Sequence, residues 1–436
     1  MTVRDRAHDA MQRLVTASRV ERILISASAL LLSVAIGAVI ILAAGRMTAC
    51  DTAAYTLAVP GSLVTQLTGG LINQLTGGNA VFAMGFCYDP IAVYDKLFLG
   101  ALGDVIGNPT NGQFATTLAQ TTILLFTGVA VAVAFRAGVF NIGAQGQLVV
   151  GALLTAIVLL YVAPYFAGLG VLAGIVLLPL GVLLGALGGG AYGALPGALK
   201  AYADANEVIT TIMLNFVATS VALYLVSSAS RLKDPESLAN QTKTLPEFAQ
   251  FPALVFRPRD DFSILALALG VAVLLGIWYL LTRTSFGYDV RTSGLQPEAA
   301  EYGGVDADRT VVSSMALSGA LAGVGGAVYV LMRIGNFQTG VPGYGFDGIT
   351  VSILAGNNPI GVAFAAFLFG VLKSGSIVVQ VNSNVPPELV GVLRGLIILF
   401  VAMPEFFRMA GRKFGSFAPG AGEERAVAAD GGVADE

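Results

Sequence analysis

Residues 135–147 read Phe-Arg-Ala-Gly-Val-Phe-Asn-Ile-Gly-Ala-Gln-Gly-Gln, which sets three side-chain amides, Asn141, Gln145 and Gln147, among glycines between two long apolar runs. An amide donates and accepts hydrogen bonds without carrying charge. That chemistry suits holding neutral polar groups, or bracing irregular backbone, rather than making bonds. The flanking runs put the segment at or near membrane depth, where lipid offers backbone N–H and C=O groups no partner. Irregular backbone survives there only when buried in protein or lining a wet cavity. Interrupted segments of this kind are where membrane carriers hold their cargo.

Chemistry of other kinds is missing from the sequence. It contains no G-x-x-x-x-G-K-[ST] loop to cradle ATP phosphates, no nucleophile elbow, no HExxH and no CxxC. The single histidine, His8, stands alone in the N-terminal arm. No cofactor and no metal is expected, and basic stripes of the nucleic-acid-binding kind are absent.

The elements that must position the amides are transmembrane helices. Hydrophobic residues make up 55% of the 436, charged residues 12%, and mean hydropathy is +0.77. A soluble domain carries about 25% charged residues. The fold class expected is an all-α polytopic membrane protein. Ile23 to Ala44 holds no charge, and its helix would rise roughly 33 Å, enough to cross. Further apolar runs lie near 115–135, 148–163, 168–190, 207–228, 262–282, 311–332, 346–356, 360–379 and 388–406. Together they predict about ten transmembrane helices, some discontinuous, with 346–356 as half of a broken one. Arg4, Arg6, Arg13, Arg19 and Arg22 precede the first span, so the positive-inside rule puts the N-terminus in the cytoplasm. An even number of crossings returns the C-terminus to the same side, with Arg408, Arg412 and Lys413.

The organisation predicted is a cytoplasmic arm (1–22), a first helix (23–44), an external segment (45–113), a transmembrane core (114–408) and an acidic disordered cytoplasmic tail (409–436). In the external segment, patches at 58–76 and 91–103 are expected to lie along the membrane interface. Cys50 and Cys87 also fall there, and the sequence leaves open a disulfide or two unpaired thiols. A second external loop, 229–261, carries four prolines that argue against regular structure. The largest cytoplasmic loop, 283–310, contains Gln296-Pro-Glu-Ala-Ala-Glu-Tyr302, with Pro297 and Glu298 suited to a first helical turn and Gly303-Gly304 to stop it. So short a helix needs a surface to dock on, whether its own protein or a partner subunit. A weak inverted repeat is also visible: Arg136-Ala-Gly, Phe140-Asn141 and Gly143 echo Arg333-Ile-Gly and Phe346-Asp347-Gly348.

The first segment resembles the hallmark of ABC-transporter permeases for simple sugars and nucleosides, in the branched-chain amino acid/ribose permease superfamily. Three more blocks agree in order: Asn206-Glu-Val-Ile-Thr-Thr-Ile-Met-Leu-Asn-Phe216, Gln296-Pro-Glu-Ala-Ala-Glu-Tyr-Gly-Gly-Val305 and Gly345-Phe-Asp-Gly-Ile-Thr-Val-Ser-Ile-Leu-Ala-Gly-Asn-Asn-Pro-Ile-Gly361. The resemblance spans roughly residues 89–406 and points to the nucleoside branch, with simple sugars such as ribose as the alternative cargo. The chain departs from the family pattern at Gln145, where Glu is common, and in the inserted external segment around 51–88.

The resemblance implies a multi-pass cell-membrane protein that works with separate ATPase subunits, an extracellular substrate-binding protein and a second permease subunit, identical or related. It is then no enzyme itself. Gln296, Pro297, Glu298, Glu301 and Tyr302 would couple to the ATPase. A neutral polar cargo needs amides and hydroxyls plus apolar faces; Asn141, Gln145, Gln147, Asn206, Thr210 and Asn215 supply the first, Phe140 and Phe216 the second, with Asp347 inside the later interruption. Each has a plainer reading. Asn206 can cap a helix, Thr210 and Asn215 can bond between helices, and the two phenylalanines can simply pack. An ion-coupled secondary transporter is the competing class, for which only Asp347 and Glu207 lie deep enough to bind an ion. Among charges near apolar runs, Lys373 and Arg394 are expected with their heads in water, and Arg136 and Asp347 in the interruptions.

Overall fold

A computed structural model describes residues 19–59, 82–227 and 232–402. The N-terminal arm, the acidic tail and most of the 58–76 patch lie outside them. Two compact units emerge.

The smaller unit, 1–91 and 384–436, contains α1 (Arg19–Met47), the antiparallel strands β1 (Tyr55–Val59) and β2 (Phe82–Phe86), and α13 (Pro387–Ala402), which packs on α1. Tyr55 pairs with Phe86 at one end of the hairpin and Val59 with Phe82 at the other. Cys50 and Cys87 form a disulfide with Cα atoms 5.8 Å apart. The Cys87 N–H also donates to Gly45 O at 3.0 Å, so the end of α1 and the end of β2 are joined covalently and by hydrogen bond. Among the described residues this hairpin is the sheet that departs from the all-α class.

The larger unit, 92–383, is built around two helices that are buried on nearly every face. These are α3 (Gly112–Arg136) and α10 (Ala307–Val328). They run antiparallel, with Phe126 beside Gly325 and Ala130 O accepting from Ser318 Oγ. Around them stand α4 (Ala144–Val162), α5 (Gly174–Ala203), α6 (Glu207–Val226), α7 (Ile264–Arg283), the short α11 (Tyr344–Leu354) and α12 (Pro359–Asn382). Glycine decides the closest packing. Gly181, Gly185, Gly189, Gly193 and Gly197 recur every fourth residue and make one buried stripe of α5. A methyl on Gly185 would come within 2.6 Å of Gly323 O on α10. In lipid no hydrophobic force drives helices together, so a small-residue stripe that lets backbones touch is what holds such a pair.

Seven stretches among the described residues are long and apolar enough to cross a membrane. One of them, Ala144–Ala203, is 60 residues and would rise about 90 Å as a single helix, so it cannot be one crossing. A 3-10 segment, Ala163–Ala173, with Gly170 at φ 53°, divides it into α4 and α5, which then pack antiparallel. Each of the ten apolar runs coincides with a helix, but α11 has only 11 residues and α13 only 16 within the described residues. Ten full crossings are therefore not confirmed among the described residues. What the structure supports is a polytopic helical membrane protein.

The 91–103 patch forms α2 (Pro90–Leu102), which packs on α12 through Leu97 and Gly100, against Gly375 and Val378. Gly375 lets the α2 backbone approach, and Lys96 Nζ closes the contact on Asn382 O at 2.5 Å. The 232–263 loop is irregular, as its prolines require, yet it is tied down. Leu245 N, Thr242 N and Phe251 N donate to Gly335 O, Phe337 O and Leu331 O at 2.7–2.8 Å. Leu331 belongs to a π-helical turn, Tyr329–Ile334, that ends α10.

Candidate functional site

The 283–310 loop forms α8 (Ser285–Leu295) and α9 (Pro297–Tyr302), with Pro297 in the first turn as its fixed φ allows. Gly304 at φ 84° ends α9, and Asp306 caps the following α10 by accepting from Arg309 N at 2.9 Å. Glu298, Glu301 and Tyr302 are exposed, Tyr302 at 97%. Gln296 is extended and lines, with α8 and α9, a surface hollow of about 200 Å³.

At the first interruption α3 ends at Arg136, Gly138 takes φ 71°, and α4 starts at Ala144 behind Gly143 without a side-chain cap. The second interruption repeats this form. The π-helical turn ends, Gly335 takes φ 68°, and α11 starts at Tyr344 behind Gly343, again without a side-chain cap. Both αL positions suit glycine. The two uncapped starts meet. Gln145 Oε1 accepts from Gly345 N at 2.8 Å, while Gln145 Nε2 donates to Val341 O and Pro342 O at 3.3 and 3.1 Å.

Behind this junction the other amides close on one another. Asn141 Nδ2 donates to Gln147 Oε1 and to Ser318 Oγ, each at 2.8 Å, and Gln147 Nε2 returns a bond to Asn141 Oδ1 at 3.1 Å. Asn215, reaching from α6, accepts from Gly146 N at 2.7 Å and donates to Ile142 O at 3.0 Å. Asn141, Gln145, Gln147 and Asn215 are all buried, and each finds partners within the chain. Gln145 and Asn215 satisfy backbone groups at the interruptions directly, while Asn141 and Gln147 satisfy each other and Ser318.

The other predicted residues are spread along the edge of this cluster. Asn206 caps α6, accepting from Val208 N and Ile209 N, and Thr210 Oγ1 donates to Glu207 O. Phe140 packs its ring 4.9 Å from Phe135 but stays 53% exposed, and Phe216 is 65% exposed on the outer face of α6. Asn141, Gln147 and Gln145 are thus brought together with Asp347's helix; Asn206, Thr210 and Phe216 are not part of that network.

The charges depart from the sequence reading in one respect. Lys373 does not hold its head in water. It pairs with Asp347 and lies 4.5 Å from the centre of the Tyr344 ring, whose hydroxyl donates to Gln120 Oε1 at 2.7 Å. A carboxylate on the neighbouring half-helix and an aromatic face outweigh snorkelling for this lysine. Glu207 pairs with Lys200 at 2.8 Å. Arg136 Nε donates to Asn357 O at 2.9 Å and so fastens the end of α3 to the turn after α11. Ser318, Gln120, Tyr344 and Lys200 were missed in sequence. Lys200 and Glu207 lie seven residues apart across a turn, which is a usable signal. The partners of Ser318 and Gln120 are 177 and 224 residues distant, and nothing local reveals them.

Comparison with known proteins matches residues 113–402 to the family described as branched-chain amino acid transport system / permease component. A nucleoside ABC transporter permease protein of Lactococcus lactis subsp. cremoris is 35% identical over 74% of this chain and 87% of its own length. A guanosine ABC transporter permease protein of Bacillus subtilis is 35% identical over 72% of this chain and 86% of its own length. A glucose ABC transporter permease protein of Haloferax volcanii is 31% identical over 73% and 82% respectively. No solved structure matches the chain.

Proposed function

We propose, from the premise that this chain belongs to the branched-chain amino acid transport system / permease component family, that it is the membrane permease subunit of an ATP-driven ABC importer for nucleosides. It is a transport subunit rather than an enzyme. The observation that carries the cargo class is the 35% identity to the nucleoside and guanosine permeases, which extends over 72–74% of the chain. The site agrees with a neutral polar cargo. Asp347 is paired with Lys373 and Glu207 with Lys200, so the two acids that an ion-coupled carrier would use are both neutralised by lysine.

In this reading ATP is hydrolysed on separate subunits, an external binding protein delivers the nucleoside, and two permease subunits, identical or related, enclose its path. The chain sits in the cell membrane with both termini in the cytoplasm, which puts α8 and α9 on the side of the ATPase. Glu298, Glu301 and Tyr302 make that contact, with Gln296 and Pro297 setting the angle of α9. The exposed rings of Phe140 and Phe216, with Asn206 and Thr210 between them in sequence, face the path. Asn141, Gln145, Gln147 and Asn215 hold the two broken helices, which the ATPase stroke shifts between inward- and outward-facing states. Asp347, inside the second broken helix, sets its charge balance with Lys373. Residues 114–408 form the transporting core.

The glucose permease at 31% identity favours a sugar as the second reading. Membrane vesicles containing the whole transporter separate the alternatives. Labelled guanosine should accumulate only with ATP on the ATPase side, and labelled glucose should not compete. Accumulation of glucose instead would replace the cargo. Uptake that persists without ATP and collapses with the ion gradient would remove the ABC reading altogether.

A further inference from the structure

Residues 335–343 join the π-helical turn to α11 and belong to no helix. Much of their backbone is satisfied by the 232–263 loop. Thr242 N donates to Phe337 O at 2.8 Å, Thr339 N to Asn240 O at 3.0 Å, and Leu245 N to Gly335 O at 2.7 Å. Phe251 N reaches Leu331 O, inside the π-helical turn, at 2.8 Å. Thr242 adds its side chain: Oγ1 accepts from Phe337 N at 3.1 Å and donates to Lys243 O at 3.2 Å. Thr242, Leu245 and Phe337 are only 0, 2 and 1% exposed. The bonds of Thr242 N and Thr339 N flank Gln241 and Gln338, which face each other as an antiparallel, non-hydrogen-bonded pair.

The first broken helix is backed from the other side. α7, Ile264–Arg283, is long and apolar enough to cross, so the loop before it and α8 after it stand at its opposite ends. On α8, Gly294 lies against the end of α3. A methyl there would collide with Arg136 O, and one on Gly138 would come within 2.9 Å of Gly294 O. Thus α8 abuts the first broken helix, the 240–251 loop abuts the second, and the two broken helices meet at Gln145. Opening the loop would strand the hydrogen bonds that cross it and uncover three buried side chains together. Moving the loop and the linker jointly breaks none of them, and unmade buried hydrogen bonds are expensive, so the joint motion is favoured.

We propose that the 240–251 loop and the second broken helix, 329–354, move as one body in the transport cycle, with Thr242 as the residue that positions them on each other. Thr242 acts through Phe337 and touches no cargo. The loop is then a handle. Its displacement, at the face opposite α8, is carried through Gly335 and Phe337 to Pro342 and Gly345, and so to Gln145. Each side of the membrane addresses its own half of the junction. The inference goes beyond the proposed function and takes from it only that a transport cycle exists.

Gln241→Cys/Gln338→Cys staples the loop to the linker, since Cα atoms of such a pair lie about 4.5 Å apart, within disulfide reach. In vesicles holding the whole transporter, the oxidised variant should keep the ATP-dependent guanosine uptake of the parent treated alike. Thr242→Val removes the hydroxyl. It should insert normally, lower uptake about tenfold for the lost hydrogen bonds, and regain parent uptake once the staple is added. Thr242→Ser, which keeps the hydroxyl, should transport like the parent. A staple that abolishes uptake means that the loop must let go, and overturns the proposal. So does a Thr242→Val protein with parent uptake, or one that the staple does not rescue. Hydrogen exchange on the purified permease tests the same body without ATP: in Thr242→Val the amides from Phe337 to Gly345 should exchange about tenfold faster. Faster exchange confined to the loop would overturn the joint motion. Parent uptake that ignores ATP would remove the ABC reading instead, and the exchange result would still decide this one.

Discussion

Asn141→Leu removes three hydrogen bonds from the buried amide cluster and leaves Gln147 with neither end of its amide paired. Leucine is close to asparagine in volume, so packing changes little and the loss is polar. Ser318 keeps its bond to Ala130 O and loses only a donor to its own oxygen. Side-chain hydrogen bonds between membrane helices measure roughly 0.6–1.7 kcal/mol each, which for two orphaned atoms of Gln147 sets a floor near 1–3 kcal/mol. The penalty for unsatisfied buried groups, about 1–3 kcal/mol apiece, sets a ceiling near 6. Asn141→Leu/Gln147→Met replaces both partners with apolar groups of similar shape and should recover most of that loss, because no orphan remains. The assay is a double-mutant cycle on thermal unfolding in detergent, with an interaction energy of about 1–3 kcal/mol expected. A double variant no more stable than the sum of the two single changes would refute the bracing role. Transport by the stable double variant then separates the two roles of Asn141. Uptake near the parent level means that the amide only positions the broken helices; a stable but inactive protein means that it touches cargo.

Lys373→Met strips Asp347 of its counter-charge at a half-buried site and should cost about 3–5 kcal/mol, with Lys373→Met/Asp347→Asn less destabilised than the single change; thermal unfolding of both variants checks this, and equal losses would sink it. Cys50→Ser/Cys87→Ser opens a loop of 37 residues and should cost the smaller unit roughly 4 kcal/mol by loop entropy, read as earlier proteolysis of the 45–113 segment with transport chemistry untouched. Proteolysis unchanged by reductant or by the double serine variant would contradict that.

The sequence made the apolar runs legible because a helix must hold its hydrophobic length continuously to cross lipid. It also made the interruption at 137–143 legible, since glycine and amides cannot stand facing hydrocarbon. Asn206 was readable as a cap for the same local reason: its side chain bonds two and three residues away. What stayed hidden depends on distance along the chain. Lys373 turns inward because Asp347 stands 26 residues earlier on a half-helix whose direction no local pattern gives. Strand β1 pairs with β2 across more than twenty intervening residues, and Tyr-Thr-Leu-Ala-Val is too short to announce a hairpin alone. The packing of α2 on α12 was hidden in the same way, because the glycine that lets its backbone approach, Gly375, stands more than 270 residues after Leu97.

Gln145 shows why the cluster uses amides rather than acids. Two helix starts meet there, and each presents unsatisfied N–H groups and the positive end of its dipole. A carboxylate would be drawn to both. Yet Gln145 also faces two carbonyl oxygens, Val341 O and Pro342 O, to which its Nε2 donates. An ionised glutamate would set a negative oxygen against them, while an amide accepts at one end and donates at the other. The junction therefore joins two elements that would otherwise repel through like dipole ends, and it does so without fixing a net charge at membrane depth. A neutral brace costs less to move than a charged one, because no ion has to be desolvated again when the half-helices change partners. In the function proposed above the cargo is itself uncharged, and a neutral junction is the one that an ATPase stroke would move at least cost.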